Sequence, residues 1–198
     1  PPGHSRSLLI DAGVRFRGYC SDITRTTAGP GESHFAALIQ GLERLQLRLC
    51  DMVAPGLDYI DVHRKAHQGV AALLSATGLV TGLEDQDIVE RGITRAFFPH
   101  GIGHFLGVQV HDVAGKPAPA PEDARFLRLT RTLEPGMVVT IEPGLYFIPS
   151  LLEPLLAGKT GQYLNRELLN RLRGCGGIRI EDNVVVTETG ARNLTREP

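Results

Sequence analysis

The sequence predicts an α+β domain, and three observations carry that reading. Residues 8–27 hold two strand-like runs about a two-residue turn signal, residues 33–78 hold two successive amphipathic helices, and residues 137–187 return to short β-branched runs. Four acids, Asp11, Asp22, Glu142 and Glu181, sit inside the β-like stretches among apolar neighbours. A charge there is costly unless it is paired or bound to a cation.

The chain has 198 residues, 42% of them hydrophobic and 22% charged, which suits one sizeable core and does not require two. A single domain over residues 1–198 is expected. The formal net charge is -1 with the signs mixed along the chain, so no basic stripe marks nucleic acid as a partner. No apolar run approaches the ~20 residues of a membrane-spanning helix, so no membrane is expected as a partner either. Cys20, Cys50 and Cys175 are odd in number and lack CxxC spacing, and nothing at the start resembles a signal peptide. A reduced, cytoplasmic location without a disulfide framework is therefore expected. The chain opens at Pro1-Pro2-Gly3-His4 without an initiating Met, shortly before a strand that already carries an acid, so a missing first part is expected.

Taken in order, Leu8 to Phe16 and Tyr19 to Thr27 read as strands joined by Arg17-Gly18, with Arg an unusual first turn residue. In that register Asp11 faces Thr24, and Asp22 lies diagonally on the same face at roughly 7–8 Å between Cα atoms. Two carboxylates so placed repel unless cations sit between them. From Ser33, read as an N-cap, Phe35, Leu38, Ile39, Leu42, Leu45, Leu49 and Met52 recur at helical spacing until Pro55-Gly56. A second helix is expected from Asp58, with Val62, Ala66, Val70, Leu73 and Leu74 turned inward as far as Gly78. His63 and His67 have the i, i+4 spacing of a metal pair, but no Glu follows His63 as a zincin motif demands, so both are read as scaffold.

Leu83 to Arg95 is mostly charged and reads as a short exposed helix. Pro99 to Asp112 then spreads three histidines, His100, His104 and His111, among three glycines, a loop and strand that display imidazoles. A dinucleotide-binding reading of Gly101, Gly103 and Gly107 fails, because the third glycine falls one residue late and no strand, turn and helix unit surrounds it. Pro117 to Glu122 breaks structure, so a surface loop is expected to Phe126. Met137 to Glu142 reads as a strand with Val139 and Ile141 on one face and Val138, Thr140 and Glu142 on the other. Leu151 to Arg173 reads as an insertion, a short apolar turn followed by an amphipathic helix with Leu164, Leu168, Leu169 and Leu172 on one side. The last strand, Gly177 to Thr187, aims Arg179 and Glu181 the same way.

The four acids bring about four negative charges, a neutral histidine brings none, and two divalent ions would cancel the total. Oxygen donors with a single imidazole suit Mn²⁺, Mg²⁺, Co²⁺ or Fe²⁺ better than a thiolate-loving ion. Two ions roughly 3.5–4 Å apart can share a hydroxide made available near neutral pH, and the implied reaction is hydrolysis.

The motifs His-Gly-Ile-Gly-His-Phe-Leu-Gly followed by Val-His-Asp, Ile-Glu-Pro-Gly, and Gly-Gly-Ile-Arg-Ile-Glu-Asp-Asn are three of the five that bear on family. The opening Ile-Asp-Ala-Gly and Ser-Asp-Ile-Thr-Arg-Thr complete the set. Together, from Leu8 to about Thr195, they resemble the catalytic domain of the prolidase and aminopeptidase P group, metallopeptidases of the pita-bread fold. Gly-Leu-Tyr-Phe-Ile-Pro-Ser-Leu-Leu and the insertion after it favour the bacterial Xaa-Pro dipeptidase branch. The resemblance implies a curved, mostly antiparallel sheet backed by helices, and hydrolysis of the imide bond of Xaa-Pro dipeptides by a metal-bridging hydroxide. It implies two divalent ions per subunit, with Mn²⁺ expected and Co²⁺, Fe²⁺, Zn²⁺ or Mg²⁺ as substitutes, and a homodimer.

By the same resemblance Asp11 would bind one ion, Asp22 and Glu181 would bridge both, and His104 and Glu142 would complete the second. Glu142 would also pass a proton to the departing prolyl nitrogen. His111 would bond the scissile carbonyl, His100 would support the site, and Arg179 would orient the carboxylates. Arg128 would grip the free carboxylate of the dipeptide. Members of the group place another substrate-facing histidine and a further domain before the first metal-binding strand, and this sequence contains neither. The alternatives are an aminopeptidase P acting on longer peptides and a non-catalytic pita-bread binding module.

Overall fold

A computed structural model describes residues 5–196, so the opening Pro1 to His4 lies outside the described residues. The chain begins with β1 (Ser7–Ala12), β2 (Arg15–Phe16), β3 (Tyr19–Cys20) and β4 (Ile23–Ala28). One antiparallel register runs through them, pairing Asp11 with Thr24 and Arg15 with Cys20. Arg17 and Gly18 both adopt left-handed backbone, at φ 49° and 92°, the twist a two-residue hairpin turn needs. The ladder is not continuous as the sequence suggested. The Ser21 hydroxyl accepts from the Val14 N–H at 3.0 Å, and the Asp22 N–H leaves the hairpin for Asn183 Oδ1 at 3.1 Å.

Two long helices follow, α1 (Ser33–Asp51) and α2 (Tyr59–Ala76). In α1, Phe35, Leu38, Leu42, Leu45 and Leu49 are buried as the spacing predicts, with Ile39 and Met52 half-buried. Ser33 is the first helical residue and not the cap; Glu32 occupies the cap position without capping. Its carboxylate is drawn away by Arg6, which donates from Nε at 2.5 Å and from Nη2 at 2.8 Å. Asp58 does cap α2, accepting from the Ile60 N–H at 2.9 Å, and Val62, Ala66, Val70 and Leu74 are buried.

The charged stretch before the histidines forms two short helices, α3 (Asp85–Glu90) and α4 (Ile93–Phe97), split by left-handed Gly92. Ile88, Ile93 and Phe97 are buried, so this segment is an amphipathic cover and not an exposed helix. From Pro99 to Asp112 the expected strand is reduced to a single bridge, Phe105 with Val139. A short 3₁₀ turn at Glu122–Ala124 interrupts the loop that follows.

The second half supplies β5 (Val138–Ile141), β6 (Gly144–Tyr146), α5 (Pro149–Ala157), α6 (Arg166–Leu172), β7 (Gly177–Arg179), β8 (Asp182–Val186) and β9 (Ala191–Asn193). β5, β8 and β9 make one antiparallel ladder in that spatial order, and β6 with β7 makes another. The apolar turn expected after Leu151 is thus the nine-residue α5, begun by Pro149 at a position where proline loses no helical bond. The final strand breaks at Ile180 and Glu181, and Glu181 instead bridges to Thr24 of β4. That break joins the two halves. Phe147, 6.5 Å from Phe35 and 6.2 Å from Phe97 between ring centroids, anchors the core beneath it. Antiparallel strands segregated from packed helices make the α+β class expected from the sequence.

Candidate metal centre

Each of the five residues is aimed by a different piece of the fold. β1 sets Asp11 opposite Thr24. Asp22 is pulled out of the hairpin by Asn183, whose side-chain amide also donates to the Asp22 carbonyl. The histidine loop lies along β5, where the Thr140 N–H donates to the His104 carbonyl at 3.0 Å and the Glu142 N–H to the Ile102 carbonyl at 2.8 Å. This close approach needs glycine at 103, since a Cβ there would run into the Thr140 carbonyl and the Tyr59 hydroxyl. Glu181 is fixed by its N–H, which donates to the Thr24 carbonyl at 3.0 Å.

The result is three overlapping groups, Asp11 with Asp22 and Glu181, His104 with Glu142 and Glu181, and Asp22 with His104 and His111. Within each, one donor atom per residue lies within 4.8 Å of the others. His111 therefore also offers a nitrogen toward the cluster, a placement the sequence reading did not assign to it. Its exposed ring meets that of His104 edge to face at 4.3 Å.

His104 shows the electrostatic character of the cluster. Its Nδ1 lies 2.8 Å from the Phe105 carbonyl, which can only accept, so Nδ1 carries the proton. In a neutral ring Nε2 is then a bare lone pair, and it points at Asp22 Oδ2 and Glu142 Oε1, each 3.5 Å away. A lone pair facing two carboxylates is stable only with a proton or a cation between them. Burial opposes a charged ring, but Asp22, the Phe105 carbonyl, Glu142 and Glu181 outweigh it and raise the His104 pKa. Burial, and then Glu181, pushes the Glu142 carboxyl well above the usual carboxylate range. Burial raises Glu181 too, against the opposing hydrogen bond from Thr24. The donor set fits hard divalent ions, and a backbone carbonyl orienting the imidazole is the usual companion of a metal-binding histidine.

Arg179 lies over the acids: Nη2 bonds Asp11 Oδ2, Nη1 donates to Tyr146 Oη at 3.1 Å, and Nε donates to Thr24 Oγ1 at 3.1 Å. The sequence reading missed Thr24 and Tyr146 as site residues. Thr24, fully buried, donates to Glu181 Oε2 at 2.6 Å, and its only signal was its place opposite Asp11. Tyr146 Oη lies 2.8 Å from His100 Nε2. The His100 Nδ1 donates to the Gly101 carbonyl at 2.7 Å, so neutral Nε2 accepts from the tyrosine; burial keeps that ring neutral, with a pKa of about 4.

These groups open onto a cavity of about 1620 Å³ lined by His100, His104, His111, Glu142 and Arg179, and by Arg128. Arg128 is exposed and makes no ion pair among the described residues, so its guanidinium is free for an anion.

Residues 3–188 match the model of metallopeptidase family M24. The chain belongs to metallopeptidase family M24. A Xaa-Pro dipeptidase of Marinobacter nauticus is 78% identical over 197 residues, covering 100% of this chain and 46% of that protein. One from Edwardsiella ictaluri is 47% identical over 203 residues, covering 99% of this chain and 46% of that protein. The chain thus spans about half the length of the curated relatives it matches. Among solved structures, Pseudomonas aeruginosa aminopeptidase PepP is 32% identical with a TM-score of 0.74, over 96% of this chain and 38% of that one. The fold is the pita-bread fold that the five motifs implied, and family M24 membership makes the acid cluster a candidate centre for divalent metal.

Proposed function

We propose that residues 1–198 form the catalytic metallopeptidase domain of an Xaa-Pro dipeptidase, hydrolysing the imide bond of dipeptides at a centre of two divalent ions. Asp11 would hold one ion, Asp22 and Glu181 would bridge, and His104 and Glu142 would hold the second. The observation that carries the reading is the buried His104 Nε2 lone pair turned onto Asp22 and Glu142. Divalent ions bound there supply Lewis acidity and bring the pKa of water toward neutrality.

The chain's own residues do the rest. Glu142, fixed by its N–H donating to the Ile102 carbonyl, can take a proton and return it to the departing prolyl nitrogen. Arg179, tied to Asp11 and Tyr146, holds positive charge over the reacting carbonyl, and His111 stands beside His104 to donate to its oxygen. His100, locked between Tyr146 and Gly101, keeps the wall of the cavity in place. Arg128 takes the substrate carboxylate by a bidentate bond. Mn²⁺ is the expected ion, consistent with oxygen donors and one or two imidazoles. The free cysteines Cys20, Cys50 and Cys175 are consistent with a reducing cytoplasm, and exposed Val14, Phe16 and Tyr19 give a homodimer an apolar surface.

Metal analysis of the wild type beside Asp22→Asn and Glu181→Gln tests the centre. About two divalent ions in the wild type and loss in both variants is expected; a metal-free wild type after loading would leave only a binding module. The similarity in structure to aminopeptidase P favours, as a second reading, action on longer peptides. Gly-Pro against Xaa-Pro-Xaa tripeptides separates the two, and Arg128→Ala should depress dipeptide turnover selectively.

A further inference from the structure

Asp182 and Asn183 follow Glu181 directly and are buried, at 0% and 5% exposure, yet neither belongs to the acid cluster among the described residues. The Asn183 amide holds the main chain of Asp22. The carboxylate beside it needs a reason of its own, because a buried charge is costly unless it is paired.

Three donors meet that carboxylate. Arg25 Nη2 donates to Asp182 Oδ1 at 2.6 Å, and Asn193 Nδ2 and Arg196 Nε donate to Oδ2 at 2.8 and 2.9 Å. Arg196 also pairs with Glu43 of α1 at 2.9 Å. Two guanidiniums and two carboxylates cancel, so this group adds no net charge next to the acid cluster. Its effect is to hold one arginine still.

The other limb of Arg25 reaches the cluster. Nη1 donates to the Thr24 carbonyl at 2.8 Å and to the Glu181 carbonyl at 2.7 Å. Thr24 and Glu181 form the single bridge that joins β4 to the break between β7 and β8, where no regular ladder fixes the chain. A guanidinium is planar and its fork is rigid, so anchoring Nη2 on Asp182 also sets the place of Nη1. Nη1 thereby fixes the peptide that carries Glu181 and the peptide that carries Thr24, whose hydroxyl donates to Glu181 Oε2 at 2.6 Å.

We propose that Arg25, anchored by Asp182, is a positioning residue that fixes the Glu181 carboxylate for metal. Asn193 and Arg196 extend the clamp to the turn that follows β9. The inference rests on the metal-centre reading of the acid cluster, and it concerns geometry, not charge.

Arg25→Lys isolates that difference, since it keeps the charge and loses the planar fork. Titration of the full chain with Mn²⁺, followed by the electron spin resonance of the free ion, should show affinity about 10–100-fold lower than in the wild type. Glu32→Gln is the control: it breaks the pair with Arg6, away from the acids, and should leave Mn²⁺ affinity unchanged. A second readout needs no metal. In the metal-free chain Arg25→Lys should speed hydrogen exchange of the Glu181 amide about tenfold and leave the Val139 and Val184 amides of the β5–β8 ladder as they were. Asp182→Asn, which removes the anchor, should reproduce both effects and serves alone if Arg25→Lys does not fold. Wild-type Mn²⁺ affinity or wild-type exchange at Glu181 in a folded variant overturns the proposal, as does an equal loss of affinity in Glu32→Gln. If the wild type itself binds no Mn²⁺, the metal-centre reading falls and the exchange comparison alone decides whether Arg25 fixes Glu181.

Discussion

Thr24→Val deletes one oxygen from the centre of the acid cluster while keeping the shape and the β-branched preference of the strand. The hydroxyl is fully buried, donating to Glu181 Oε2 at 2.6 Å and accepting from Arg179 Nε at 3.1 Å. A hydrogen bond to a charged group contributes about 1.5–3 kcal/mol. The two losses do not add in full, because Arg179 keeps Asp11 and Tyr146, and its Nε still stands 3.9 Å from Glu181 Oε2. A loss of about 2–3 kcal/mol is therefore expected for the metal-free chain, read as a lower urea midpoint with an unchanged slope. The valine also frees the Glu181 carboxylate to rotate. Loss of such a supporting bond lowers metal affinity about 10–100-fold, so a further ~1.4–2.7 kcal/mol should disappear when stability is measured at saturating Mn²⁺ for the wild type. Thr24→Ser should recover most of both effects. Wild-type stability and wild-type Mn²⁺ titration in Thr24→Val would refute the idea that this hydroxyl sets the position of Glu181.

Three further outcomes follow from the same geometry. His63 and His67 have folded pKa values of about 4 and about 3, below the ~6.5 of an unfolded histidine, so the unfolded chain binds more protons in between. Stability is therefore full above about pH 6.5 and falls with acid, by about 2 kcal/mol per ring from pH 7 to pH 5; the metal-free double variant His63→Leu/His67→Leu should flatten that loss by about 4 kcal/mol, and parallel curves would contradict it. Glu142→Gln removes a carboxyl whose ionisation is opposed by burial and then by Glu181, so the metal-free variant should gain about 1–3 kcal/mol by calorimetry at neutral pH while losing the stabilisation given by Mn²⁺; destabilisation without metal would show that the carboxyl is not disfavoured at that position. Gly103→Ala should cost about 3 kcal/mol or more in urea unfolding, because the added methyl meets the Thr140 carbonyl and cannot move away; a neutral effect would mean the loop is not held against β5.

The sequence makes some of this legible because a few interactions are local. The Arg17-Gly18 turn dictates the register that brings Asp11 opposite Thr24, and Asp58 caps its helix from within two residues. The cap proposed at Ser33 fails for the opposite reason: Glu32 is claimed by Arg6, which lies 26 positions away, and no short window of sequence contains that bond. The acid cluster divides in the same way. Its acids stand out as charges in apolar strands, because desolvation is a local cost that the neighbours reveal. Their supporting groups are ordinary residues until the fold assembles them, Thr24 from β4 beneath Glu181 and Tyr146 from β6 between Arg179 and His100. Even the break in the last strand obeys this logic, since Glu181 gives up a place in a regular ladder for a single bridge to Thr24. A regular ladder would have carried Gly177 to Thr187 past the hairpin without joining it, and the acids of the two halves would then not have been brought into one cluster.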